Sequence, residues 1–245
     1  MGSEQRSLYR AADVFPELVP QPPTPAAPVR DIETMENQFT RSLPELTGEI
    51  QATTLSFENM HAYGRLFPNY LKARREVFID AKGWDLPQSS GMEFDQYDTP
   101  QSKWVIIHEY GRVVAGMRLT PTIASCGQYS YMLRDAQRGL LEHIPQNVLY
   151  FEAPVRPAIW EATRLFVASS VSSKRRILIQ TILLEHMSAS ARDLGARAII
   201  GIVPWVFSRW MKRIGMEATP VGPALEIDGD RTQAALMNVV NPRTV

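Results

Sequence analysis

"KWVIIHEYGRVVAGMRLT", residues 103–120, decides the architecture. Two β-rich runs flank Tyr110-Gly111, the pattern of a hairpin turning at that dipeptide. Working outward, "WEATRLFVAS" (160–169) reads as a further strand. A long helix follows over 173–194, carrying apolar Ile177, Leu178, Ile182, Met187 and Leu194, with Gly195 as its stop. "ARAIIGIV" (196–203) is a buried strand, and Pro204 opens a short helix, "PWVFSRWMKRI", that Gly215 closes. Two β-rich runs near 216–227 and 234–240 finish the chain. Upstream of the hairpin, a strand at 50–57 leads into a helix near 59–80. Strands first, then strand–helix–strand–helix, predict an α/β (α+β) fold with a central mixed sheet flanked by helices.

At 245 residues the chain holds one sizeable domain, or at most two small ones. Residues 14–30, "VFPELVPQPPTPAAPVR", are proline-rich without helical or strand periodicity. Residues 1–48 therefore read as an N-terminal arm, partly extended or disordered, and 49–245 as the folded domain. The arm is either a free tail or a segment packing on its own domain or on a partner subunit, so a homodimer stays open. A net charge of zero argues against nucleic acid as the main partner. No stretch approaches the ~20 apolar residues of a membrane span, and "MGSEQRSLYR" lacks the apolar core of a secretory signal. Cys126 is the single cysteine, which rules out an intrachain disulfide and fits a reducing, cytoplasmic setting. It reads as a packed loop residue rather than a nucleophile. The four histidines show no metal-ligand spacing, so no metal site is expected.

Charge is concentrated in "GMEFDQYDTP", 91–100, where Glu93, Asp95 and Asp98 alternate with Met92, Phe94 and Tyr97. Acids among large apolar groups are partly desolvated and need cations nearby. Arg74 is one such cation. Phe67, Leu71, Arg74 and Phe78 share a helix face, and a guanidinium in an apolar stripe either snorkels to the rim or finds acids. Arg118 shares a strand face with Val114, Gly116 and Thr120, and small Gly116 leaves room for a ligand or a crossing backbone. Arg164 follows Glu161 at i+3, so the two face opposite ways in a regular strand and meet only across a bulge or splay. Acids and arginines converging on one cleft suit a ligand carrying both charges, such as an amino acid derivative. The alternative is a structural ion-pair network.

"SSVSSKRRILIQ", 169–180, opens the long helix. Ser172 or Ser173 can cap it. Lys174, Arg175 and Arg176 stand where the helix dipole disfavours cations, so this turn is either a phosphate site or a solvated charge run. "SRWMKR" supplies Arg209, Lys212 and Arg213, either a second basic patch for an acidic carrier protein or the polar face of a short helix.

Together, "RREVF" followed by "GW", "GMEFDQYD", "GMRLTPT", "WEATRLFV" and "IVPWVFSRWMKRIGM" resemble the acyl-homoserine lactone synthases, the autoinducer synthases of quorum sensing, from about Ser56 to about Val240. Arg74, Phe78, Trp84, Asp95, Asp98, Arg118, Glu161 and Arg164 match the recurrent pattern of that family. The departures are the long N-terminal arm and Thr163, where many members have Ser. The resemblance implies a fold similar to the coenzyme A-dependent (GNAT-like) acetyltransferases and a two-step reaction. The amine of S-adenosylmethionine attacks an acyl thioester on acyl carrier protein or coenzyme A. The methionyl carboxylate then displaces methylthioadenosine to close a lactone. Both substrates are consumed, and no tightly bound cofactor is implied. The resemblance assigns Asp95, Asp98, Arg74 and Arg118 to a charged network around S-adenosylmethionine, with Phe78, Trp84 and Arg164 in its pocket and Glu161 as general base. Phe166, Val167, Gly201, Lys174 and Arg175 fall on the acyl and phosphopantetheine side. Gly201 stands where some 3-oxo-acyl-preferring members have a hydroxyl residue, which favours an unsubstituted, branched or bulky acyl group. Gly201 otherwise only admits a close backbone neighbour. Two other functions fit the same residues: an N-acyltransferase that acylates another amine without lactonising, and a catalytically silent ligand-binding homologue.

Overall fold

A computed structural model describes residues 49–205, 207, 211, 217–227 and 229–239. The arm and the basic face expected at Arg209, Lys212 and Arg213 lie outside the described residues; Phe207 and Met211 are helical and buried. The main sheet has seven strands: β1 (Gln51–Leu55), β4 (Lys103–Glu109), β5 (Arg112–Pro121), β6 (Ile159–Val167), β7 (Ala198–Pro204), β8 (Ala218–Ile227) and β9 (Asp230–Asn238). Their order is β1-β4-β5-β6-β7-β9-β8, and β2 (Gln88–Ser89) and β3 (Met92–Glu93) pair apart from it. Only β6 and β7 run parallel among these neighbours. The helices are α1 (Leu66–Arg75), continued by a π-helical turn over Glu76–Ala81, α2 (Met132–Gln137) and α3 (Ser173–Asp193). A central mixed sheet with flanking helices is therefore the fold. No helix among the described residues is long and apolar enough to cross a membrane.

The hairpin turns at Tyr110 and Gly111, both at positive φ (49° and 79°), the backbone that matches strand twist in a two-residue turn. α3 ends at Gly195, whose φ of 83° lets Ala196 N–H reach the Ala191 carbonyl at 2.8 Å. Ile177 and Leu178 are exposed, and the buried stripe of α3 is Ile179, Leu183, Leu184 and Met187. Ser172 occupies the N-cap position, but its hydroxyl makes no capping bond. Pro204 ends β7 instead of opening a helix. β9 starts at Asp230, earlier than the expected 234, and pairs Thr232 with Pro204.

One sheet face packs on α3 through Met117, Leu119, Trp160, Ile199 and Met237. The other carries two separate apolar clusters. Leu66, Tyr70, Phe78, Trp104, Ile106 and Phe166 pack around α1, and Tyr131, Leu133, Ile200, Val221 and Ala234 pack around α2. On the strands between them stand Arg118, Glu161 and Thr163, all buried.

Candidate active site

β6 and β7 pair only from Ile159–Glu161 to Ala198–Ile200, although both strands run on to Val167 and Pro204. Where they part, a cleft of about 550 Å³ opens, lined by Ala162–Leu165 on one side and Gly201–Pro204 on the other. Phe78 and Trp84 form part of its wall, stacked 5.1 Å apart at 16°. Leu184 and Met187 of α3, Phe207, Met237 and the loop Leu140–Ile144 complete a largely apolar lining.

The polar end of the cleft is an ionic network of three arginines and three acids. Arg74 Nε meets Glu93 Oε2 at 2.5 Å, and its Nη1 meets Asp98 Oδ1 at 2.7 Å. Arg118 Nη1 reaches Asp95 Oδ1 at 2.5 Å and Asp98 Oδ1 at 3.0 Å, while its Nε donates to Thr163 Oγ1 at 3.1 Å. Arg164 spans Glu93 (3.2 Å) and Asp95 (2.8 Å). Trp104 Nε1 and the Asp95 backbone N–H also donate to Asp98, at 3.0 and 2.9 Å. Arg74 is therefore fully buried among acids rather than snorkelling to the rim. Burial is the largest single influence and would raise the pKa of Asp95 and Asp98, but Arg118 acting together with Arg164 and Arg74 respectively overcomes it and holds both below the usual carboxylate range.

Three formal positive and three negative charges balance inside the network, and only its Asp95–Arg164 edge lines the cleft. Arg74, Glu93, Asp98 and Arg118 thus form a buried scaffold, and Asp95 and Arg164 present their charges to the cleft. Glu93 was visible in the acidic stretch but not recognisable as a site residue, because its partners come from 19 and 71 residues away. Gly116 leaves no room for a ligand. The Tyr70 ring fills that space, and a Cβ there would fall 2.6 Å from its Cε2.

The bulge required for Glu161 and Arg164 to share a face is present. Gly116 pairs with Phe166 and Arg118 with Thr163, leaving one extra residue on β6, and Arg164 takes φ 53°. Glu161 is almost fully buried and does not itself line the cleft, although the next residues of β6 do. Its oxygens accept the N–H groups of Met132 (2.9 Å) and Leu133 (2.7 Å) at the start of α2. Burial pushes its pKa up to about 7, against the lowering effect of those two bonds.

Of the residues expected on the acyl side, Gly201 lines the cleft; Phe166, Val167, Lys174 and Arg175 do not. Phe166 is packed against α1 and Val167 against the α3 core. Arg175 is paired with Glu109, so the first turn of α3 is not a free basic cluster. Gly201 sits where the backbones approach: a Cβ there would lie 2.5 Å from the Ala162 carbonyl oxygen.

A seven-stranded sheet parting at a parallel pair thus opens an apolar cleft with a charged edge, an arrangement that can hold an apolar group beside a charged one. The sequence pattern described as "Autoinducer synthase" matches residues 63–244. An acyl-homoserine-lactone synthase of Ralstonia nicotianae (strain ATCC BAA-1114 / GMI1000) is 31% identical over 192 residues, 74% of this chain and 87% of the relative. The crystal structure of TofI in a ternary complex with an inhibitor and MTA superposes with a TM-score of 0.62 at 25% identity, covering 77% of this chain and 91% of TofI. The structure of the CoA-dependent acyl-homoserine lactone synthase BjaI, with SAM and isopentyl-CoA, shares the fold at a TM-score of 0.62 and 23% identity, over 79% of this chain and 85% of BjaI. The chain belongs to the autoinducer synthase family, whose members are acyltransferases that make acyl-homoserine lactones.

Proposed function

We propose that this chain transfers an acyl group from a thioester to the amine of S-adenosylmethionine and then closes the lactone, with each step assigned to residues of the split-sheet cleft. The observation that carries this reading is the charge-balanced network ending in one acid and one arginine beside an apolar cleft. S-adenosylmethionine brings an ammonium and a sulfonium for Asp95 and a carboxylate for Arg164. Phe78 and Trp84 offer a flat apolar wall to its adenosyl part.

In the first step a proton leaves the ammonium, the amine nitrogen bonds to the thioester carbonyl carbon, and the carbon–sulfur bond breaks to release a thiol. Glu161 takes the proton in this reading, relayed by a water because it does not itself line the cleft, and burial raises its pKa toward the neutral range that suits a general base. In the second step a carboxylate oxygen attacks the carbon bonded to sulfur, and methylthioadenosine leaves with the bonding electrons. That step is intramolecular, and holding the molecule bent contributes part of the roughly 7–11 kcal/mol available from positioning. The acyl chain runs along Leu184, Met187, Ile202 and Met237, past Gly201. The donor is acyl carrier protein or coenzyme A.

Mass spectrometry of lipid extracts from cells expressing the chain tests this reading and names the acyl group. N-acyl-homoserine lactones are expected. Linear N-acyl amines would transfer the assignment to a non-lactonising N-acyltransferase, and no acylated product would mark a silent homologue.

A further inference from the structure

Lys82 caps the π-helical turn at one wall of the cleft, and Asp230 opens β9 at another, 148 residues away. Both line the cleft, and their side chains meet at 2.7 Å. The Lys82 ammonium also lies 4.8 Å from the centre of the Trp84 ring. Both partners are well exposed, at 42% and 51%. An ion pair that open to water contributes little to stability and is readily exchanged. Among the described lining residues Lys82 and Arg164 are the only lysine or arginine. Arg164 belongs to the edge of the buried network with Glu93 and Asp95, so Lys82 is the one such cation among the described lining residues that stands outside the network.

We propose that Lys82 is an anion-binding residue at the cleft, with Asp230 holding its ammonium until a substrate anion replaces the carboxylate. The proposal rests on the synthase reading, in which both substrates carry anions: the carboxylate of S-adenosylmethionine and the phosphate of a phosphopantetheine donor. A lysine suits this role because its ammonium is a point charge on a flexible stem, able to change partners without a fixed fork geometry. The approach of Nζ to the Trp84 ring keeps the ammonium at the cleft wall. Asp230 then acts as a competitor for the ammonium, not as a latch that strengthens the site.

This makes opposite predictions for the two halves of one ion pair. Calorimetric titration of the full chain with S-adenosylmethionine, uncharged methylthioadenosine and 4′-phosphopantetheine tests it in the wild type, Lys82→Met and Asp230→Asn. Methionine keeps an unbranched side chain of similar length beside Trp84 and removes the charge. Lys82→Met is expected to weaken one anionic ligand about 3- to 10-fold, the range of a partly exposed charge-assisted contact, and to leave methylthioadenosine unchanged. Asp230→Asn is expected to leave that anion's affinity the same or raise it about twofold. The ligand that responds identifies the anion as carboxylate or phosphate. Equal weakening by both variants would make the pair a latch and overturn the proposal. So would weakening of methylthioadenosine, which would place the effect in the Trp84 wall, or no change with Lys82→Met. A wild type that binds none of the three would refute the synthase reading itself, and this proposal with it.

Discussion

Asp98→Asn separates the scaffold of the network from its ligand-facing edge. The side chain is 5% exposed and its Oδ1 is shared by Arg74 and Arg118, at 2.7 and 3.0 Å. Removing its charge leaves three guanidinium groups with two buried acids. Breaking a buried pair typically costs about 3–5 kcal/mol. Here each arginine keeps another partner, Glu93 for Arg74 and Asp95 for Arg118, and the amide oxygen still accepts a hydrogen bond. The lower part of the range applies, about 3 kcal/mol or roughly 150-fold in the folding equilibrium. For a chain of this size that is a fall in Tm of about 6–12 °C. The pH dependence follows in sign. The pKa of Asp98 is depressed in the folded state, so its contribution is present above the unfolded value of about 4 and lost as pH falls below it. Wild-type stability should therefore drop on acidification below about pH 4, and the variant should drop less steeply. Urea unfolding at pH 7 and across the acid range measures both, with the KM for S-adenosylmethionine measured alongside. An unfolding free energy within 0.5 kcal/mol of wild type, together with a raised KM, would refute the scaffold argument and make Asp98 a ligand contact.

Glu161→Gln should lower turnover by roughly 10²–10⁴-fold, the usual worth of a positioned base, while wild-type kcat/KM rises with pH through about 7 as the carboxyl ionises; a variant with near-normal turnover would leave Glu161 only its hold on Met132 and Leu133. Gly201→Ser places a Cβ against the Ala162 carbonyl and should cost about 1–3 kcal/mol by forcing β6 and β7 apart; thermal unfolding identical to wild type would show that the strands give way freely.

The parts of the fold written in local pattern were legible. Tyr110-Gly111 announced the hairpin, Gly195 the end of α3, and the spacing of Leu71, Arg74 and Phe78 the buried face of α1. What was not legible depended on partners distant in sequence. Gly116 looked like free volume because nothing near it in the chain reveals the Tyr70 ring. Arg175 looked available because Glu109, its partner, lies in the hairpin 66 residues earlier. In the candidate site, the need of the acids at 93–98 for arginines was readable from their apolar surroundings. Which of them remain exposed to a ligand was not, since that is decided where β6 and β7 part, and no single segment encodes the parting.

The extra residue at Arg164 also inverts the parity of β6. Trp160 and Ala162 pack on the α3 side, and even alternation would send Phe166 after them. It lies instead on the opposite face, touching Tyr70 and Phe78, while Val167 takes the α3 side. One residue at positive φ thus gives a single strand two frames. Before it, even-numbered positions belong to the α3 core; beyond it, odd-numbered ones do. Straightening that residue into regular alternation would turn Phe166 toward the α3 core and bring Val167 to the aromatic wall, whereas removing it would leave both on the faces they now hold. A straightened bulge would therefore disturb both halves of the protein at once, while the strands away from β6 kept their register.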